Sequence, residues 1–304
     1  QYLYGEAYMY NAQYASTIVS QMGAGEFSPT DMRKVLAGKT VGVSPRIGTA
    51  SEAFGGQSGS KDVEALLQMT YLYFTQPRKD ADLFNSFVSK QSAMYQNILS
   101  DPSAVFQNEF LKIVYNNNPR GPKFPSPEDF AKINLDRSFE IYKERFSNAN
   151  GFHFYFVGSF DINEIKPLIA TYLGSLPTTG KASNFKDIGL RPVKGVVKKE
   201  VRKGTEQKSM IRMMFSGDAT YSVKEENHLY MLTEVLNITV IETLREDMSG
   251  VYGAGVNGNL SKIPYSGYST TIAMPCGPEN VDKLIASALA EVEKVKKNGP
   301  KKED

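Results

Sequence analysis

Arg245 and Tyr252, spaced R-x6-Y in the stretch LREDMSGVYGAGVNG (244–258), carry side chains that could act together on a polarised carbonyl. A guanidinium offers five N–H donors in a fixed fork and a permanent charge, and a phenol adds an O–H donor. Both could hold an oxygen that develops into an oxyanion. On an unbroken helix this spacing would bring the two side chains to one face, two turns apart. Ser249-Gly250 is expected to end the helix instead, leaving Arg245 in its last turn and Tyr252 at the start of the next strand, at one helix-to-strand corner. The plainer reading is an arginine that meets the helix dipole beside an incidental core tyrosine. The residues alone favour that one.

The same stretch holds a literal G-x-G-x-x-G, Gly253 to Gly258. A dinucleotide fingerprint needs a strand before the glycines and a helix after them. Here a capped helix runs in from Ser222 and strand-like sequence runs out through Tyr268. The match is read as accidental, with glycines that let the chain leave a helix and pass close to another backbone. Saturable binding of ATP or NAD would revive the nucleotide reading. Ala53 to Gly59 (AFGGQSG) lacks the Lys-Ser/Thr of a P-loop and reads as a strand-to-helix turn.

Metal chemistry finds little here. The chain has two histidines, His153 in an aromatic run and His228 early in a helix, with no carboxylate at ligand spacing. Both read as structural or surface residues. The one cysteine, Cys276, rules out an intrachain disulfide or a cysteine cluster and reads as a buried structural thiol. No G-x-S-x-G occurs. By itself the chain is expected to catalyse nothing and to bind no metal or cofactor.

The elements that must position these groups are marked by their caps. Ser28-Pro29 and Ser126-Pro127 each place a Ser N-cap before a first-turn Pro with acid following, and Asp161 and Ser222 begin capping boxes with Glu164 and Glu225. Helices are predicted from the latter two to about Leu173 and Glu246. Further helical patterns cover 60–74, 81–100, 137–146 and 278–297. Strands are predicted at 39–43, 151–157 (GFHFYFV), 196–202, 210–215, 253–260 and 265–274, the last two as a hairpin. Strands and helices come in clusters without strict alternation, which implies an α+β fold with helices on one face of mainly antiparallel sheets. The linker-like stretch 176–194 divides a first domain, 1–185, from a second, 186–304, which carries the R-x6-Y corner.

Composition narrows the classes. With 41% hydrophobic, 11% aromatic and 22% charged residues the chain can bury a core, and a net charge of +2 gives no field that favours nucleic acid. No apolar run approaches the length of a membrane span. The chain starts at Gln1, and both ends are expected to be cut from a longer polypeptide.

An ordered series of motifs then points to a family. GAGEFSPTDMRKVLAGKTVGVSPRIG (23–48), GGQSGSKDVEALLQMTYLYFTQPRKD (55–80), FYFVGSFD (154–161) followed by LIATYLGSLP, and LREDMSGVYGAGV together resemble the C-terminal half of pitrilysin/insulinase zinc peptidases, the bacterial periplasmic single-chain members in particular. The likeness covers nearly the whole chain. It implies two related α+β domains, the first without its leading strands and the second truncated at its C-terminal end. It also implies a homologous N-terminal half that carries the inverted H-x-x-E-H zinc motif and closes over extended peptide like a clamshell. Arg245 and Tyr252 match the Arg and Tyr that, in such members, face the zinc and hold the substrate backbone and tetrahedral intermediate. The resemblance further implies zinc in the full-length parent, an inactive isolated fragment, a peptide substrate and an extracytoplasmic location. The alternative is a non-catalytic peptide-binding or structural subunit of a peptidase-like assembly.

Overall fold

The computed structural model describes residues 1–179, 184–247 and 253–300, with residues 244–247 as backbone only. In chain order the first elements are α1 (Met9–Ser20), α2 (Pro29–Val35), β1 (Val41–Ile47), β2 (Glu52–Ser58), α3 (Val63–Thr75), α4 (Ala81–Ile98), α5 (Pro102–Val114), α6 (Pro127–Ala131), α7 (Leu135–Phe146) and α8 (Ile162–Tyr172). They are followed by β3 (Ser209–Asp218), α9 (Val223–Asp247), β4 (Gly255–Ser261), β5 (Gly267–Cys276) and α10 (Val281–Asn298). All strand pairs are antiparallel, β1 with β2 and β3-β5-β4 in a second sheet, so the fold is α+β.

Two compact units emerge, Gln1–Ser100 with Asn118–Gly189, and Asp101–Asn117 with the chain from Leu190 onward. Helix α5 thus joins the second unit. Val193 N–H donates to the Val114 carbonyl at 2.7 Å, and the Arg212 guanidinium on β3 lies 5.1 Å from the Phe110 ring centre.

The first unit is built on an aromatic core. Phe54 stacks on Phe74 with ring centres 4.5 Å apart, and Phe146 meets these rings edge-on at 4.7 and 5.9 Å. Such edge-to-face pairs contribute beyond their buried area. The neighbouring Tyr142 phenol is buried and donates to the Tyr73 carbonyl at 2.9 Å, so its burial leaves no polar group unpaired.

In the second unit, Thr270, Ile272 and Met274 alternate inward along β5. Ile272 and Met274 share a core with Leu236 and Val240 of α9 and Leu284 and Ala288 of α10. Burying each of the larger side chains stabilises the unit by about 1.5–3 kcal/mol.

The serine N-caps form as the sequence implies, with a reciprocal capping box at Ser126 and Asp129. Ser28 Oγ and Ser126 Oγ accept N–H bonds from Asp31 and Asp129, and Ser222 Oγ accepts from Glu225 at 3.1 Å. Asp161 caps α8 through the Asn163 N–H at 2.6 Å, not through the Glu164 N–H that the expected capping box would use.

Two predicted strands are absent from the described sheets. Segments 151–157 and 196–202 enter no ladder, and Tyr155, Val157 and Val196 are 86%, 99% and 88% exposed. β propensity expresses fit to a pleated, partnered surface rather than an intrinsic backbone preference, and among the described residues neither segment has a neighbouring strand. Conversely, the stretch read as a turn at Ala53–Gly59 is strand β2, which leaves only Gly59 at the exit.

Candidate functional site

Helix α9 runs to Asp247, so Arg245 lies in its last described turn, and β4 begins at Gly255. Tyr252 lies outside the described residues, and the side chain of Arg245 does too.

The glycines of this stretch have local structural reasons. Gly253 sits at φ +86°, a left-handed conformation that suits glycine. A Cβ on Gly258 would stand 2.6 Å from Thr233 Cγ2 and 3.2 Å from Leu229 Cγ, so β4 passes too close to α9 for any side chain there. The helix precedes the glycines and the strand follows, the reverse of a dinucleotide loop.

Helix and strand are joined by polar bonds as well. Asn237 Oδ1 on α9 accepts the Val256 N–H of β4 at 3.1 Å. Farther along α9, the Thr243 hydroxyl donates to Glu291 Oε2 of α10 at 3.3 Å. Glu291 is buried and also meets Lys294 Nζ at 3.3 Å, which supplies the charge partner a buried carboxylate needs. Sequence reasoning missed Asn237. The available signal was an asparagine in mid-helix, where it is a poor helix former unless its amide has a partner.

His153 is exposed in the first unit. His228, exposed on α9 in the second, has Nδ1 3.5 Å from Glu225 Oε1. Among the described residues no group of three His, Cys, Asp or Glu side chains could hold a metal ion, so the donor set here does not fit zinc. Cys276 ends β5, half-buried opposite Ser209. Burial, then the nearby Glu279 charge, push its thiol pKa up, which disfavours the reactive thiolate. No helix among the described residues is long and apolar enough to cross a membrane.

Residues 132–304, more than half of the chain, match a family model described as "Peptidase M16 inactive domain". The chain belongs to the peptidase M16 family. Its M16 relatives include an Arabidopsis thaliana protein named "Zinc protease PQQL-like", 25% identical over 263 residues, a match spanning 80% of this chain and 27% of the relative. Another is the "Probable zinc protease PqqL" of Haemophilus influenzae, 21% identical over 290 residues, 94% of this chain and 30% of the relative. The chain thus spans less than a third of the length of these relatives.

Among solved structures, the periplasmic protease PqqL from Escherichia coli superposes with a TM-score of 0.80 at 18% identity, over 96% of this chain and 32% of that one. The separately solved first half of the same protease gives 0.63 at 13% identity, over 96% of this chain and 65% of that one. These likenesses establish a shared M16 fold.

Proposed function

We propose that this chain is the C-terminal half of a zinc metalloendopeptidase. In this reading it closes over a zinc-bearing N-terminal half, binds extended peptide, and stabilises the tetrahedral intermediate of peptide-bond hydrolysis through Arg245 and Tyr252. The observation that carries the reading is the match to an M16 family model over a span that includes the R-x6-Y corner. The position of Arg245 in the last turn of α9, with a strand opening shortly after Tyr252, supports it. Comparison with PqqL from E. coli supports the assignment to the second half. The fit to its first half is poorer than the fit to the whole chain, so a better-matching copy of the fold lies outside that half.

The division of labour follows from the residues. Nothing in the described donor set holds zinc, so the metal and the water it activates belong to the partner half in this scheme. Arg245 supplies a fixed charged fork and Tyr252 a phenolic donor, and donors aimed at developing charge act mainly in the transition state. Because donors and metal come from different halves, activity requires closure, which also excludes water from the site. An extracytoplasmic location, as in the periplasmic protease it resembles, belongs to the same proposal.

The full-length protein is expected to contain zinc, to cleave an unfolded peptide, and to lose that activity on chelation, while the 304-residue chain alone cleaves none. Assays of metal content and peptide hydrolysis check this. An upstream half without H-x-x-E-H and a full-length protein without activity would instead favour a non-catalytic peptide-binding subunit.

A further inference from the structure

We propose, resting on the functional reading above for the peptide ligand, that Arg212 on the face of the second sheet turned away from α9 and α10 is a carboxylate-binding subsite for the peptide that this half takes up.

The ladder registers settle which side chains share that face. Ile211, Met213 and Phe215 of β3 and Val256 of β4 turn into the core with Ile272 and Met274, beside the residues of α9 and α10. Successive residues of a strand face opposite ways, so the residues between these lie on the other face. They form two rows across the sheet, the first Arg212, Ala273 and Gly255 and the second Met214, Thr271 and Asn257. In the first row both residues beyond the arginine are small. Among the described residues nothing stands within 4 Å of a Cβ placed on Gly255, so this part of the face is open. The second row adds a hydroxyl and an amide as further donors and no carboxylate.

The charge of Arg212 is poorly met within the chain. The side chain is half-buried, its Nη1 donates to Gln107 Oε1 of α5, and its guanidinium lies 5.1 Å from the Phe110 ring centre. Its Nε is enclosed without an acceptor, and among the described residues no carboxylate lies within 4.0 Å of it. Other half-buried arginines have fuller partners. Arg137 meets Glu140 and Glu144 at 3.0 Å each, Arg145 meets Glu52 at 3.4 Å, and Arg120 donates to the Tyr2 and Tyr4 carbonyls at 3.1 and 2.8 Å. A cation drawn out of water is costly unless it is paired. Gln107 and Phe110 hold this guanidinium in one place without neutralising it, which leaves its charge for an incoming anion. A carboxylate matches the guanidinium fork, and a peptide supplies one from an acidic side chain or from its C-terminus.

The test uses the full-length protein and labelled linear peptides of a single neutral sequence, prepared with an amidated end, with an amidated end and an internal Glu, and with a free C-terminal carboxylate. Fluorescence anisotropy gives the Kd of each. The unsubstituted protein is expected to bind an acid-bearing peptide about tenfold more tightly than the neutral one, the scale of one charge-assisted pair. Whether the internal Glu or the free end brings the gain distinguishes the two sources of the carboxylate. In Arg212→Gln the gain should vanish, leaving the acid-bearing peptides at the affinity of the neutral one. Ala273→Glu keeps the arginine and sets a carboxylate directly across the ladder from it, so it should abolish the gain as well, whether or not Arg212→Gln folds. Equal binding of all the peptides by the unsubstituted protein, no binding of any, or a gain that survives either substitution would overturn the site. So would weakening of all the peptides alike in Arg212→Gln with a fall in Tm, the mark of a purely structural arginine. Failure of the underlying reading would look different, with the acid gain intact and wild-type kcat in Arg245→Ala and Tyr252→Phe.

Discussion

Arg245→Ala or Tyr252→Phe in the full-length protein is expected to lower kcat by about 10²- to 10³-fold, the usual cost of losing one oxyanion donor. Zinc content should not change, because no zinc ligand is removed. KM should move little, since a contact strengthened only in the transition state contributes nothing to ground-state binding. The two losses should also combine less than additively if both donors serve one oxygen. Steady-state kinetics with metal analysis of each variant is the check, and wild-type turnover in either would remove that residue from the site.

Phe146→Ala is expected to destabilise the first unit by about 3–5 kcal/mol, the range for deleting a fully buried aromatic ring. Phe146 is fully buried between Phe54, Phe74 and Tyr142, with ring centres 4.7, 5.9 and 4.8 Å away. The void would be lined by rings held in place by their own packing, which limits collapse. Val157→Ala provides the contrast, because a side chain 99% exposed should cost no more than about 0.5 kcal/mol. Urea unfolding of both variants measures the difference, and similar midpoints would contradict the placement of the core.

The parts of the fold legible in the sequence are those set by local chemistry. Ser28, Ser126 and Ser222 each cap a helix by accepting an N–H three residues on, a bond that needs nothing from the rest of the chain. The β4–β5 hairpin was legible for the same reason, as two alternating runs beside a turn. Helix α1 was not, because Tyr10, Asn11, Ala12, Tyr14, Ala15, Ser16, Ile18 and Val19 are all buried, which erases the one-sided pattern that marks a surface helix. Helix α5 was missed although its start was readable, with Asp101 capping Ala104 ahead of Pro102, of the same kind as Ser28-Pro29. Strand β2 was hidden by Gly55-Gly56, which look like a turn until β1 supplies a partner. The opposite error at 151–157 and 196–202 has the same cause, since strand composition decides nothing without a ladder.

At the corner, the sequence placed the helix end at Ser249-Gly250 and Tyr252 at the start of the next strand, both outside the described residues, and the described backbone shows helix to Asp247 and strand from Gly255. What it could not reveal was the long-range bond from Asn237 to Val256, which depends on how α9 lies across β4.

The proposed role of the pair is tested most directly by comparing two ligands of the full-length protein, a peptide analogue with a tetrahedral phosphinate at the cleaved position and an uncleaved ground-state peptide. In Tyr252→Phe, the analogue should bind about 10²-fold more weakly, in step with the loss in kcat/KM, while the peptide Kd stays within about threefold of wild type. Unchanged affinity for the analogue, or equal weakening of both ligands, would contradict transition-state stabilisation by this half.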